Sequence, residues 1–586
     1  MTTDQNYQQI YRVGGMLDAG FVGQITYTIS LDQVYDELDI HFSFDKRLYS
    51  ESDVTPELID RLQTLCTAKY DAPTYPVEEF RQTILHEMKT EIHTMAELND
   101  NFIGCIHRQL TDRHMLYTKE FTSDGCLAQD TFSGVLKVTV LVFNVLLDNT
   151  QYTLTVSGHP VGQGVIAPNF NLMDTVKTAA GNAGASNAAG SADTSCDAES
   201  APASAVATAG CSGVSGAGSA ATAGDSSTTG SSSAGNTVTA STRFKRLELH
   251  NHTVESDGSL TCQELTEYLA ADHVDAFAIT DHNTTSGQKK IEQLLEEKHY
   301  PISLIRGMEY TTYFGHILCL NLSKYVPWNS IDQHRPELLF EAAREKGALV
   351  GIAHPFSYGD PFARGCRFEM TISDYSKVDF IEIFNNPEPL HEVNERGTNL
   401  WMSLIFSGYQ ITATSGMDLH NRAKLAGCYA TYIEGKNGGN IASELDTAIH
   451  THRTWVSKGA LLLTEVLPET NELLLTFTDA HKPGFAVPKT AQVVLKGKDK
   501  TFTTSVSLDK PVRVSLNQLS GTDPIIPLLY EAPGTNSAAV VSNAAAASTS
   551  CSNTADASSA AGQLKEIDAL PAIEGLLCIS PVLYRD

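Results

Sequence analysis

His250 and His252 stand two residues apart in LELHNHTVESDG (247–258), behind a short apolar run and ahead of Asp257. Residues i and i+2 of a strand face the same side, so both imidazoles can aim at one point. Two converging ring nitrogens suit a metal ion better than an apolar core. An isolated HxH is a weak signal, but groups of the same kind recur down the chain. Asp281 and His282 lie in TDHN, Glu309 in RGMEYTT, His316 in GHILCL, His354 in AHP, and Asp418 and His420 in GMDLH. Imidazoles and carboxylates delivered together to one rim would make a polynuclear metal site.

The elements that must position them are strands alternating with helices. Between 242 and 460, the strand-like runs RLELHNH, VDAFAITDHN, ISLIRGMEYT, GHILCLNL, LVGIAHPF, VDFIEIFNN and ITATSGMDLH are interleaved with helix-like ones. The helices read from TCQELTEYLAAD, SGQKKIEQLLEEKH, PELLFEAAREKG and EVNERGTNLWMSLIFSG, the first opened by a Thr261/Glu264 capping box. Such alternation predicts a parallel sheet, and this many units predict a barrel whose C-terminal strand ends carry the chemistry. Nearly every one of these strands ends in a ligand-type residue.

Taken in order, HNHTVESDG, TDHNT, GMEYTT with its following GH, AHP and GMDLH resemble the motifs of the polymerase and histidinol phosphatase (PHP) superfamily. The stretches GMEYTTYFGH, EIFNN and HRTWVSKGA resemble its stand-alone carbaryl-hydrolase-like branch. The resemblance implies an α/β fold, a distorted seven-stranded (β/α) barrel, and two to three divalent ions of zinc, manganese or iron. It implies that His250, His252, Glu309 and Asp418 hold one ion. Glu309 would bridge to a second, shared with His316 and His354, and Asp257, His282 and His420 would hold a third. Asp257 stands where other branches carry a histidine. Asp281 is not needed as a ligand and is expected to orient a histidine.

The chemistry implied is attack by a metal-bridging hydroxide on a small phosphate ester or short nucleotide. The same site could act on a carbamate or carboxylic ester carbonyl. Glu309, Asp281 and Arg367 are the expected catalytic side chains. Arg364 and Arg367 follow AHP, and a guanidinium matches phosphate geometry; Asn385 and Arg422 are further candidates for substrate contact. Neither a Gly-x-Ser-x-Gly elbow nor a P-loop signature stands in the barrel region. The third reading is a metal-stabilised scaffold without catalysis, which the full set of ligand types disfavours.

A formal net charge of −28 argues against a long nucleic acid as partner, since phosphate binding draws on Lys and Arg. Eleven cysteines with no CxxC pair read as reduced thiols. The start MTTDQNYQQIYRVGG has no secretory pattern. VLKVTVLVFNVLL (135–147) is too short to span a bilayer and contains Lys137 and Asn144. A cytoplasmic chain without membrane contact is expected.

Two tracts rich in Ala, Gly, Ser and Thr, 179–241 and 534–562, lack the apolar mass to order themselves and read as disordered. They divide the chain into an N-terminal β-rich domain (1–178), the barrel (242–460) and a C-terminal β-domain (461–586) that the second tract interrupts. The N-terminal domain reads as a β-sandwich with a helical insertion. ELDIHFSFD alternates Leu38, Ile40, Phe42 and Phe44 as a half-buried strand, and GVLKVTVLVFNVLL and QYTLTVSG form two more. PVEEFRQTILHEMKTEIHTMAEL spaces Phe80, Ile84, Met88, Ile92 and Met95 as a helix. Its HEMKTEIH has Thr90 where a zinc-protease HExxH needs histidine, so it reads as an exposed helix face. The C-terminal strands, from ELLLTFTD to GLLCISPVLY, predict a second sandwich.

Overall fold

A computed structural model describes residues 7–70, 76–108, 110–148, 150–161, 243–329, 331, 334–385, 392–482, 486–533 and 564–584. Both low-complexity tracts lie outside the described residues.

The long strand Gly23–Phe44 organises the N-terminal sheet. Its pairing shifts between Leu31 and Tyr35. The first arm pairs with Phe132–Asn144, and the second lies between Thr150–Pro160 and Asp112–Tyr117. Gln8–Leu17 adds to Thr150–Pro160, while Glu91–Leu98 and Asn101–Ile106 extend the other arm. All pairings are antiparallel. Leu38, Ile40, Phe42 and Phe44 are buried as the alternation requires. They share one core with Ile29 and Leu31 of the first arm and with Val138, Val140, Leu154 and Val156.

The helical insertion is shorter than its apolar spacing predicts. Helices cover Pro56–Tyr70 and Val77–His86, and the chain then enters the strand Glu91–Leu98. Thr90, Ile92 and Thr94 are β-branched at every second position, which favours a strand. Pairing on both edges, with Phe132–Asn144 and Asn101–Ile106, decides it. His93 is therefore fully buried rather than on an exposed helix face.

The strands of 243–457 form in the expected order, but not as a closed parallel barrel. They belong to an open ladder of fourteen strands. Arg243–Glu248, Ala276–Ile279 and Ser303–Thr312 run parallel, as do Leu349–Ile352, Phe380–Phe384 and Thr412–Ser415. Gly315–Leu320 runs against its neighbours because only Tyr313 and Phe314 link it to Ser303–Thr312. A parallel crossover needs a dozen residues or more. Ala430–Gly435 is antiparallel to Arg243–Glu248. Where closure would occur, a side chain replaces the ladder: Thr431 Oγ1 accepts from Ser415 N at 2.8 Å and donates to Ser415 O at 2.9 Å.

The ladder continues past Thr454–Ser457 into Leu576–Ile579 and the C-terminal strands Ile526–Glu531, Thr490–Lys496, Thr501–Ser507 and Lys565–Ile567. A three-stranded sheet of Ala460–Leu467, Glu472–Asp479 and Val512–Ser515 faces it. Leu473, Leu475 and Phe477 of that sheet share a core with Val493, Leu495 and Leu529 of the ladder. No helix among the described residues is long and apolar enough to cross a membrane.

The N-terminal sheet is joined to the barrel region by packing. Met95, Cys105, Leu141 and Phe143 share a core with Met308, Tyr310, Tyr313 and Trp328. Phe143 is central, its ring centroid 4.7 Å from Tyr313 and 4.5 Å from His93. Phe143→Ala should destabilise the full chain by about 3–5 kcal/mol, the usual cost of a large buried aromatic. Denaturant titration checks this; an unchanged midpoint would mean that the two parts do not stabilise each other here.

Candidate metal centre

Backbone pairing past the strand ends sets the site. His252 N donates to Leu419 O at 3.0 Å and Leu419 N to His250 O at 3.1 Å. This places His250 and His252 beside Asp418 and His420. Glu309 N donates to Thr280 O at 3.1 Å and Asn283 N to Glu309 O at 3.0 Å, which sets His282 beside Glu309. His316 opens the antiparallel strand, so the hairpin returns it to the same end; Thr311 and His316 are partners across the turn. His354 and Asp418 have φ of 23° and 49°, a sparsely populated region for such residues and one often found at functional sites.

Glu309 lies at the centre and is fully buried. Its Oε1 stands 2.8 Å from His316 Nδ1 and 3.0 Å from His354 Nε2. Its Oε2 stands 2.9 Å from His282 Nδ1, 3.2 Å from His250 Nε2 and 3.4 Å from His252 Nε2. Asp418 Oδ1 is 3.0 Å from His252 Nε2 and 3.4 Å from His250 Nε2. Asp257 Oδ1 is 3.3 Å from His420 Nε2 and 3.6 Å from His282 Nε2. Three groupings have donor atoms close enough to share an ion: His250, His252, Glu309 and Asp418; His282, Glu309 and His316; His252, Asp257, His282 and His420.

The donor set fits divalent cations. His250 Nε2, His252 Nε2, Glu309 Oε2, His316 Nε2, Asp418 Oδ1 and Asp257 Oδ1 are buried and make no hydrogen bond. Buried polar atoms are ordinarily paired, and a cation satisfies imidazole nitrogen and carboxylate oxygen together. Charge in the cluster is strongly coupled. Burial raises Glu309, but His250, His316 and His282 hold it well below the usual carboxylate range. Burial lowers His250, yet Glu309, Glu382 and Asp418 lift it well above an ordinary histidine. His252 is lowered to about 3 by burial and by His282 and His420.

Asp281 stays outside the cluster. It accepts from Thr253 N at 2.7 Å, Thr253 Oγ1 at 2.9 Å and Ser256 Oγ at 2.7 Å. It thus fixes the loop carrying Asp257, and reaches His252 only through Ser256, whose Oγ is 3.5 Å from His252 Nδ1. Burial raises its carboxyl to about 6. Arg367 lies 5.4 Å from the ring centroids of both Tyr70 and Phe356. Arg364 pairs with Asp360 at 3.2 Å, and Arg422 lies over the Tyr268 ring at 5.9 Å. Asn385 Nδ2 donates to Glu382 Oε2 at 2.9 Å.

Sequence reasoning missed Glu382, although it lies in EIFNN. Its carboxylate is 3.0 and 3.2 Å from His250 Nδ1 and accepts from His354 N at 3.0 Å. A Cβ on Gly416 would stand 2.6 Å from both Glu382 Oε1 and His250 Cβ, so the glycine permits this approach. Glu91, His93 and His107 of the N-terminal sheet form a further buried group. No barrel motif contains them, and only the buried histidine on a strand would have marked His93.

Residues 7–160 match a family of unknown function (DUF6669). An uncharacterized protein of Methanocaldococcus jannaschii is 30% identical over 112 residues, covering 19% of this chain and 58% of that one. A 5'-3' exoribonuclease of Haemophilus influenzae is 36% identical over 141 residues, covering 23% of this chain and 50% of that one. This chain spans about half the length of these curated relatives. Among solved structures, a two-domain protein of Bacteroides vulgatus containing a predicted PHP-like metal-dependent phosphoesterase shares 15% identity. That likeness covers 49% of this chain and 90% of the other at a TM-score of 0.29. An amidohydrolase from Chromobacterium violaceum shares 16% identity over 30% of this chain and 87% of the other, at a TM-score of 0.22.

Glu382→Gln keeps the shape beside His250 but removes the charge that sets the ring. Affinity for Zn²⁺ or Mn²⁺ should fall about 10–100-fold, the usual effect of losing such a partner. Calorimetric titration measures it; unchanged affinity with an unchanged circular dichroism spectrum would contradict the role.

Proposed function

We propose that the chain is a metal-dependent phosphoesterase acting on a small phosphate ester or short nucleotide. The observation that carries this reading is Glu309, a buried carboxylate whose two oxygens face different imidazole groups. In this reading His250, His252 and Asp418 hold one ion with Glu309, and His316 and His354 hold a second with it. Asp257, His282 and His420 hold a third. When bound, such ions supply Lewis acidity toward a phosphoryl oxygen and make water acidic enough to act as nucleophile at neutral pH.

The protein's own groups provide position and access. Glu382 sets His250, Asp281 fixes the Asp257 loop, and Glu309 keeps the two ion positions adjacent. The side chains of Asp418, Asp257 and His420 are 22%, 26% and 33% exposed, whereas His250, His252 and Glu309 are closed off. Substrate therefore enters from the Asp257–His420 side. The phosphate class is supported by the ordered motifs and by relatives named as 5'-3' exoribonucleases. The net charge of −28 favours a short substrate over a long nucleic acid. The domain limits at 178, 241 and 460, with an interruption at 534–562, belong to the same proposal.

Glu309→Gln keeps the volume and removes the anionic bridge. Hydrolysis of bis(p-nitrophenyl) phosphate or a 5'-labelled short oligoribonucleotide should fall at least about 100-fold, with little change in melting temperature. A variant that keeps full activity would refute the bridge. A metal-loaded wild type inactive on phosphomonoesters, phosphodiesters, oligonucleotides and aryl esters would favour a scaffold instead.

A further inference from the structure

The N-terminal sheet reaches the metal centre through one buried imidazole. His107 follows the strand Asn101–Ile106. Its ring stacks on His282 with centroids 4.1 Å apart, and its Nε2 lies 3.5 Å from Asp257 Oδ2. Behind it stands His93, at 3.9 Å between ring centroids. His93 Nε2 is 3.1 Å from Glu91 Oε1. The other oxygen of Asp257, Oδ1, faces His282 and His420. One carboxylate thus has one oxygen toward the barrel cluster and one toward the N-terminal sheet.

The loop that carries Asp257 is held from the same two sides. Asp281 ties Thr253 and Ser256 from the barrel side. From the other side Gly125 N donates to Glu255 Oε2 at 3.0 Å, and Thr284 Oγ1 donates to Gly125 O at 2.9 Å. Gly125 has φ +79°, and a Cβ there would lie 2.4 Å from Cys105 O and 2.8 Å from Glu255 O. Lys290 pairs with Glu255 and, at 3.5 Å, with Asp124. A half-buried carboxylate on a loop loses rotational freedom when both its oxygens have fixed neighbours. This is how an outer residue tunes an ion that it does not touch.

We propose that His107 is a positioning residue for the ion held by His252, Asp257, His282 and His420, so that the N-terminal domain completes this metal centre. The inference rests on the metal reading above, and the test separates the two. Full-length protein is titrated with Co²⁺ by equilibrium dialysis, comparing wild type with Asp257→Asn, His107→Phe and His107→Gln. Phenylalanine keeps the stacked ring and removes the nitrogen, whereas glutamine offers an amide N–H near the place of Nε2. In His107→Phe and Asp257→Asn the weakest-bound ion should lose about 10–100-fold in affinity while the tighter ions are unchanged. His107→Gln should retain the wild-type isotherm. If Asp257→Asn weakens binding and His107→Phe does not, the role of His107 is wrong. Equal weakening of every ion by His107→Phe also overturns it, since that marks a purely structural part. An unchanged Asp257→Asn isotherm refutes the ion at Asp257, and the inference falls with it. If His107→Phe does not fold, His107→Asn, whose amide stops short of Asp257, takes its place with the same outcomes.

Discussion

Glu309 is brought out of bulk water and half-buried Asp418 stands within reach of the same two imidazoles, with buried Glu382 behind one of them. Buried carboxylates of like charge cannot stay ionised together without compensating positive charge. In the protein alone the imidazoles beside these carboxylates are lifted above the ordinary histidine range, His250 by its three carboxylate neighbours and His282, His354 and His420 by theirs. Divalent ions would supply the positive charge in a form that also uses the lone pairs on His252 and His316. Much of the surrounding architecture serves this convergence. The parallel segments deliver His282 and Glu309 side by side, the 312–315 hairpin returns His316, and Gly416 lets Glu382 close on His250.

What was legible in the sequence follows from locality. His250 and His252 sit at strand spacing, and Glu309, His354, Asp418 and His420 each end or follow an apolar run, so pattern alone placed them together. The hairpin at Tyr313-Phe314 was legible in principle, since two residues cannot cross a sheet, yet the alternation of strands and helices obscured it. The path of 87–98 was not legible from helical spacing. Ile92 and Met95 suit a helix, and pairing with Phe132–Asn144 and Asn101–Ile106 makes Glu91–Leu98 a strand. Closure was also beyond pattern: Thr431 tethers Ser415 by a hydroxyl where a barrel would use a backbone ladder.

The same limit explains why His93 reads as part of an exposed helix face and why nothing in the sequence singles out His107. Each is an ordinary histidine in its own strand or loop, and their significance arises only when the N-terminal sheet packs on the barrel region. Phe143, Tyr313 and Trp328 provide that packing. His107 then stacks on His282, with His93 behind it. A domain that looks like an appendage in sequence thereby forms one wall of the metal centre. The Asp257 loop is where the two parts meet, with Asp281 on one side and Gly125 on the other.

Glu309 is proposed to lie between two metal positions. Anomalous diffraction from crystals of the manganese- or zinc-loaded protein, recorded above and below the absorption edge, tests it directly. One peak is expected about 2.0–2.2 Å from His250 Nε2, His252 Nε2 and Asp418 Oδ1. A second is expected beside His316 and His354, with a Glu309 oxygen coordinating each. A loaded crystal with no anomalous peak on either side of Glu309, and imidazoles bonded directly to its carboxylate, would contradict it.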